Sequence, residues 1–275
     1  MEVILLDGPM GTELARRGVA TPSPRWSAGA LEGAPHVVAQ IHRDYAEAGA
    51  TVHTANTFRT HVRAAGGAWE TLARRAVRIA RESVPTGHRV AGSLAPIEDC
   101  YRPDLSPGAG SRAEHRELAL ALVDAGVDLL LCETFAHPTE AVVAVEECVR
   151  TGLETWVALT AGPDVSLLTP GSMVEVARAC VDAGARAVLV NCTDAPRTLA
   201  FVERLAELPV RVGAYANAGD PRDGLGWDAT PARAALAYAR LAQGWLEAGA
   251  SVVGGCCGTG PEHIHQLARL ARLAR

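Results

Sequence analysis

Four times in this chain the same phrase returns: an acidic residue, alanine and glycine, then a short apolar run ending on polar or sulfur-bearing side chains. The copies are EAGATVHTANTF at 47–58, DAGVDLLLCETF at 124–135, DAGARAVLVNC at 182–192 and EAGASVVGGCC at 247–257. Glycine after a helical stretch supplies the left-handed cap that ends a helix. A short Val/Leu run without alternation is the pattern of a strand buried on both faces. Each copy therefore reads as the end of one helix, a tight turn and a parallel strand.

Between these copies lie four more strand candidates, Val3–Asp7, Arg89–Ser93, Thr155–Thr160 and Val210–Tyr215. Helices are predicted over 35–48, 68–84, 113–125, 138–150, 171–183, 196–207, 231–248 and 261–274, many with proline in the first turn. Eight strand–helix alternations in 275 residues, close to the ~250 usual for the fold, predict a single (β/α)8 barrel of the α/β class spanning 1–275. A doubly wound open sheet is the alternative, weakened because no G-x-G-x-x-G follows the first strand. The long loops 19–34 and 95–111 then sit over the C-terminal mouth.

Composition removes several function classes. All 26 basic residues are arginine, so enzymes that need a lysine amine for a Schiff base are excluded. The net charge of −5 and the lack of a basic cluster argue against nucleic acid. No apolar run reaches the ~18 residues of a membrane span, and the opening MEVILLDG reads as a buried strand rather than a signal. Seven cysteines, an odd number, point to a reducing, cytoplasmic setting. Nothing in the sequence fixes an oligomeric state.

In a barrel, chemistry is carried at the C-terminal ends of the strands. Those ends hold Asp7 and Gly8, Thr54 and Asn56, Ser93, Glu133, Thr160, Asn191 and Cys192, Asn217, and Cys256 and Cys257. Neighbouring strand residues face opposite ways, so Cys256 and Cys257 meet one ion only if the backbone leaves strand geometry, which Gly254, Gly255 and Gly258 permit. With Cys192 they make three ligands for zinc and leave its fourth position open. The plainer reading of the pair is two small buried thiols in a glycine-rich turn. Three thiolates make zinc a weak carbonyl polariser but let it bind a substrate thiol as thiolate. Glu133 and Asp7 need partners at buried strand ends; a ligand ammonium serves either, and an arginine is the structural alternative for Glu133. Gly8 lets a ligand approach the backbone. Asn56, Asn191 and Asn217 fit either carboxylate binding or turn capping. His36, His53 and His61 have no ligand spacing, and His263 and His265 stand just beyond the thiols. Cys132, Cys148 and Cys180 read as packing, while Cys100 is undecided.

These residues resemble the homocysteine S-methyltransferase family. The likeness rests on LLDGPMGTEL at the start, ANTF at 55–58, CETF at 132–135, VNC at 190–192, YANAG at 215–219 and GGCCGT at 254–259. It implies Cys192, Cys256 and Cys257 as zinc ligands, Glu133 as a further catalytic residue, and Asp7, Gly8 and Glu133 around the amino-acid end of homocysteine. Asn56, Ser93 and Asn217 complete the expected substrate-binding set. The reaction implied is methyl transfer to the homocysteine thiolate, giving methionine. S-methylmethionine or S-adenosylmethionine is the favoured donor, with betaine next. A zinc-thiolate or redox-sensing protein without turnover is the competing reading. A hydrolase or lyase using Asp7 and Glu133 on another metal is a third.

Overall fold

The computed structural model describes residues 2–227 and 231–273. Among these, eight parallel strands are β1 (Ile4–Leu5), β2 (Val52–Thr54), β3 (Arg89–Leu94), β4 (Leu129–Phe135), β5 (Thr155–Leu159), β6 (Ala187–Asp194), β7 (Arg211–Asn217) and β8 (Val252–Val253). The helices are α1 (Met10–Arg16), α2 (Ala30–Gly33), α3 (Pro35–Ala48), α4 (Val62–Ala65), α5 (Trp69–Ser83), α6 (Arg112–Asp124), α7 (Pro138–Val149), α8 (Pro170–Asp182), α9 (Leu199–Leu205), α10 (Pro231–Glu247) and α11 (Pro261–Leu273). Hydrogen bonding runs β1-β8-β7-β6-β5-β4-β3-β2, and Leu6 pairs with Val52 to join the two ends. The architecture is a (β/α)8 barrel, which removes the open-sheet alternative.

Strand alternation divides the core in two. Leu6, Val52, Ala91, Leu129, Leu131, Trp156, Ala158, Leu189 and Val252 fill the barrel interior. Their neighbours Leu5, Val90, Leu130, Cys132, Val157, Val188 and Val253 pack outward against the helices. Both faces are buried, which is why the strands read as unbroken apolar runs.

The repeated Ala-Gly phrase does what its chemistry dictates. Gly49, Gly126, Gly184 and Gly249 all take positive φ, from 91° to 111°, at the turns that release the chain into β2, β4, β6 and β8. The expected helix at 196–207 is split into a 3-10 turn at Ala195–Arg197 and α9. The α1 helix lies within a stretch given no helix by the sequence reading. Residue 274, the last of the expected final helix, lies outside the described residues. No helix among those described is long and apolar enough to cross a membrane.

The two glycine turns make a quantitative contrast. At Gly126 an added Cβ meets nothing within 4 Å, whereas at Gly49 it falls 2.8 Å from the Ala268 methyl. Gly126→Ala is expected to lose ~1 kcal/mol from the left-handed backbone alone. Gly49→Ala should lose ~1–3 kcal/mol more through overpacking. Urea unfolding of the two variants measures the difference.

Candidate metal and substrate site

Two strand ends depart from regular pairing where the site forms. The β4–β5 register shifts between Cys132 and Phe135, and the β6–β7 register shifts between Asn191 and Asp194. Thr134 and Cys192 sit inside these bulges with φ of 67° and 46°. Left-handed backbone is unfavourable for residues with a Cβ, and such strain persists only where surrounding bonds hold it. Here Asn191 Nδ2 donates to Thr134 Oγ1 at 2.8 Å, and Thr160 Oγ1 donates to the Cys192 carbonyl at 3.2 Å. The bulge brings the Cys192 thiol to the cavity wall, and Thr134 Oγ1 lies 3.8 Å from its sulfur.

The other two sulfurs come from the turn after β8. Gly254 and Gly255 are confined: a Cβ would fall 2.7 Å from Leu6 Cβ at one and 2.2 Å from Thr259 Oγ1 at the other. Cys256 N donates to the Ala216 carbonyl at 3.0 Å, and Ala218 N donates to the Cys257 carbonyl at 2.8 Å, so the turn lies along β7. From the far side α1 clamps it. Gly258 N donates to Thr12 Oγ1 at 3.1 Å, while Arg16 donates to the carbonyls of Thr259 at 2.7 Å and Gly258 at 2.9 Å. Glu13 holds that guanidinium at 2.7 Å. His263 Nδ1 accepts from Gly260 N at 3.2 Å just past the turn, whereas His265 and His36 are exposed.

The three sulfurs lie within 4.8 Å of one another, and Cys192 Sγ touches Cys256 Sγ at 2.8 Å. Tetrahedral zinc with Zn–S bonds of ~2.3 Å needs sulfur separations of ~3.8 Å, so the group fits the ion with a small opening of one contact. Charge is already unevenly shared: hydrogen bonds from Cys192 and Cys256 hold the Cys257 thiol well below the ordinary thiol range.

Across a cavity of about 570 Å³, whose wall includes these cysteines, stand two buried carboxyls. Glu133 accepts hydrogen bonds from Ser93 Oγ and from the Tyr215 hydroxyl, the latter at 2.9 Å. No arginine among the described residues pairs with it, so the structural ion-pair alternative fails, and burial raises its pKa. Asp7 Oδ2 accepts from Thr54 N at 2.9 Å, and burial pushes its carboxyl up to about 8. Gly8 lines the cavity, but the space a side chain would take is filled by the Tyr45 ring at 2.6 Å. Packing against that ring fixes glycine there. Behind Asp7 lie His42 and His53, each contributing a ring nitrogen within 4.8 Å of the carboxyl. Burial holds His42 neutral, lowering it to about 4. His42 has no sequence signal beyond its place on the buried face of α3.

Other expected residues divide. Asn56 lines the cavity, yet both ends of its amide bind Ser27, at 2.7 and 2.9 Å, so it ties down the 19–34 loop. Ser93 reaches the site only through Glu133, and Asn217 is not on the cavity wall. Cys100 and Tyr101 of the 95–111 loop do line it, with Trp26 from the 19–34 loop. Cys132, Cys148 and Cys180 are buried away from it, the first two in contact at 3.5 Å. Thr134, Tyr215 as the partner of Glu133, and the Thr12–Arg16 clamp were not anticipated. Leu14 four residues after Met10, just past Pro9, is the one sequence hint of the helix that carries the clamp.

Two measurements follow from this geometry. Arg16→Met removes the clamp and is expected to lower zinc affinity of the three-thiol group by about tenfold, read by chelator competition. Asp7 carries a stability penalty. Between about 4 and about 8 the folded chain keeps a proton that the unfolded chain, with the ordinary value of 3.8, has lost. Stability from this group therefore falls as pH rises through that window, and Asp7→Asn should gain ~1 kcal/mol or more at pH 8, and little near pH 4, by denaturant unfolding.

Comparison with known proteins agrees with this architecture. A family model described as homocysteine S-methyltransferase matches residues 4–271. The homocysteine S-methyltransferase YbgG of Bacillus subtilis is 32% identical, over 98% of this chain and 95% of the relative. The crystal structure of the homocysteine methyltransferase MmuM from Escherichia coli in its metallated form superposes with a TM-score of 0.82 at 27% identity, over 98% of this chain and 96% of that one. Its apo form gives 0.75 at 25% identity, with the same coverage. This chain belongs to the homocysteine S-methyltransferase family.

Proposed function

We propose that this protein transfers a methyl group from an activated donor to the sulfur of homocysteine, giving methionine, with zinc held by Cys192, Cys256 and Cys257. The observation that carries this reading is the pairing of three clustered thiols with buried carboxyls across one cavity. The match of the family model over residues 4–271 supports it.

Zinc bound by three thiolates would hold an incoming thiol as thiolate and so supply the nucleophile at neutral pH. The chain's own residues do the rest. Glu133, oriented by Ser93 and Tyr215, takes the homocysteine ammonium, with Asp7 as the second carboxyl. Ion pairing with that ammonium favours the charged form of both carboxyls, offsetting the burial that raises them. The Gly8 backbone borders the same end. Thr134 and Thr160 hold the Cys192 bulge, and the α1 clamp holds the Cys256–Cys257 turn, so the sulfur is presented in one direction. The loops carrying Trp26 and Tyr101 exclude water. The donor methyl is displaced in line: a new carbon–sulfur bond forms while the electron pair of the breaking bond leaves with the departing atom. Holding both reactants in that alignment is the main contribution of the protein. A sulfonium donor, S-methylmethionine or S-adenosylmethionine, gives a neutral leaving group; betaine is the next candidate. Seven unbridged cysteines support a reducing, cytoplasmic setting, and one barrel domain over 1–275 is the unit proposed.

Methionine formation by zinc-analysed protein, with homocysteine and each donor, tests the proposal. Turnover with one zinc per chain is expected, falling to background in Cys192→Ser. Glu133→Gln should weaken homocysteine binding by ~2–5 kcal/mol, about thirtyfold or more in KM. Zinc bound without turnover across all donors would instead favour a metal-storing or redox-sensing protein.

A further inference from the structure

Behind the end of the first strand lies a second group of side chains able to hold a metal, and it includes two imidazoles that methyl transfer does not use. Asp7, His42 and His53 each offer a ligand atom, and the three atoms lie within 4.8 Å of one another. Val52 fills the barrel interior, so its neighbour His53 on β2 turns outward, where the buried face of α3 carries His42. Asp7 joins them from the end of β1. It also lines the cavity, which gives a small ion a way in. In tetrahedral geometry with bonds of ~2.0–2.1 Å the ligand atoms stand ~3.3 Å apart, so the group needs only a small closure.

Both imidazoles are in the form a metal binds, and both lack other partners there. Each is 0% exposed. Neither ring nitrogen of His42 is hydrogen-bonded, and Nδ1 of His53 is likewise without a partner. Leaving a buried polar atom unpaired costs ~1–3 kcal/mol, so three such atoms around one carboxyl ask for a ligand. Burial lowers His42 to about 4, and burial with the nearby His42 and His88 lowers His53 to about 3. Both rings are therefore neutral, with a lone pair to give. The other nitrogen of His53, Nε2, lies 3.0 Å from Nδ1 of the half-buried His88. With Nδ1 on a metal, Nε2 carries the proton and donates to His88, the outer hydrogen bond that orients most metal-bound histidines. Charge points the same way. Asp7 is raised by burial and also by the charge of Glu133, and a dication beside Asp7 relieves that repulsion.

We propose that Asp7, His42 and His53 form a second site for a divalent ion of the zinc class, apart from the three thiols, and that an ion there competes with homocysteine for Asp7. Two imidazoles and one carboxylate suit zinc, cobalt or nickel rather than magnesium or calcium, which take oxygen ligands. The three thiolates fill first, and the second site fills only when metal is in excess. The ion that supports methyl transfer at one per chain thus restrains it beyond that number. The competition rests on the methyltransferase reading above; the site itself does not.

The test uses full-length protein carrying one equivalent of zinc and titrated with cobalt(II), which binds more weakly than zinc and leaves the thiol-held ion in place. One further equivalent is expected, with the weak visible bands of nitrogen and oxygen ligands and no sulfur-to-cobalt charge transfer. His42→Leu and His53→Leu should weaken it by about a hundredfold or more while keeping the zinc, and His88→Ala by about tenfold. If a leucine variant loses the zinc, His88→Ala decides. Free cobalt at about ten times its dissociation constant should raise homocysteine KM about tenfold in wild type and leave kcat unchanged. That rise should vanish in His42→Leu. No second equivalent in wild type, one held equally by the histidine variants, or one with sulfur charge transfer overturns the site. A second equivalent that leaves homocysteine KM unchanged overturns the competition. Absence of turnover with every donor overturns the methyltransferase reading, and the cobalt titration still decides the site.

Discussion

Everything at the mouth of this barrel depends on two places where β geometry is abandoned so that sulfur atoms can meet. A strand alternates its side chains, and adjacent cysteines on a regular strand would point apart. The chain solves this twice by different means. At the end of β6 it accepts a left-handed cysteine inside a bulge, held by Asn191, Thr134 and Thr160. After the very short β8 it uses glycines whose lost side chains make room for Leu6 and Thr259. Strain at the first position is offset by hydrogen bonds, and freedom at the second is removed by the α1 clamp. The result is a preorganised three-sulfur face rather than three thiols on mobile loops.

The same economy extends to the carboxyl side. Glu133 and Asp7 are buried without a cationic partner among the described residues, and each is raised by burial. Polar neighbours orient them without neutralising them: two hydroxyls for Glu133, one backbone amide for Asp7. A charged ligand group would complete what the fold leaves incomplete. Such sites lower stability in the free protein and gain it back on binding, a common exchange at functional centres.

Legibility in the sequence followed the range of the interactions involved. Turns and strands set by local chemistry were readable, because the Ala-Gly phrase forces a left-handed cap wherever it occurs. Cys192, Cys256 and Cys257 were readable as a group because the barrel order brings the sixth and eighth strand ends to one rim. The Thr134 bulge was not, since nothing local distinguishes a threonine forced into positive φ from one in a regular strand. The Tyr215–Glu133 hydrogen bond joins residues 82 apart, and the Arg16 clamp joins residues more than 240 apart; neither has a local signature. Asn56 shows the converse: its place at a strand end fits either a ligand contact or structural work, and Ser27 engages both ends of its amide. Gly8 lines the cavity, as its place at the first strand end suggests, and the ring of Tyr45, distant in sequence, needs the space a side chain would take.

The most direct measurement of the central claim is X-ray absorption at the zinc edge of the purified protein, before and after homocysteine is added. The account predicts three sulfur neighbours at about 2.3 Å in the free protein and four once the substrate thiol is present. A shell dominated by nitrogen or oxygen, or a sulfur count that stays unchanged on adding homocysteine, would contradict it.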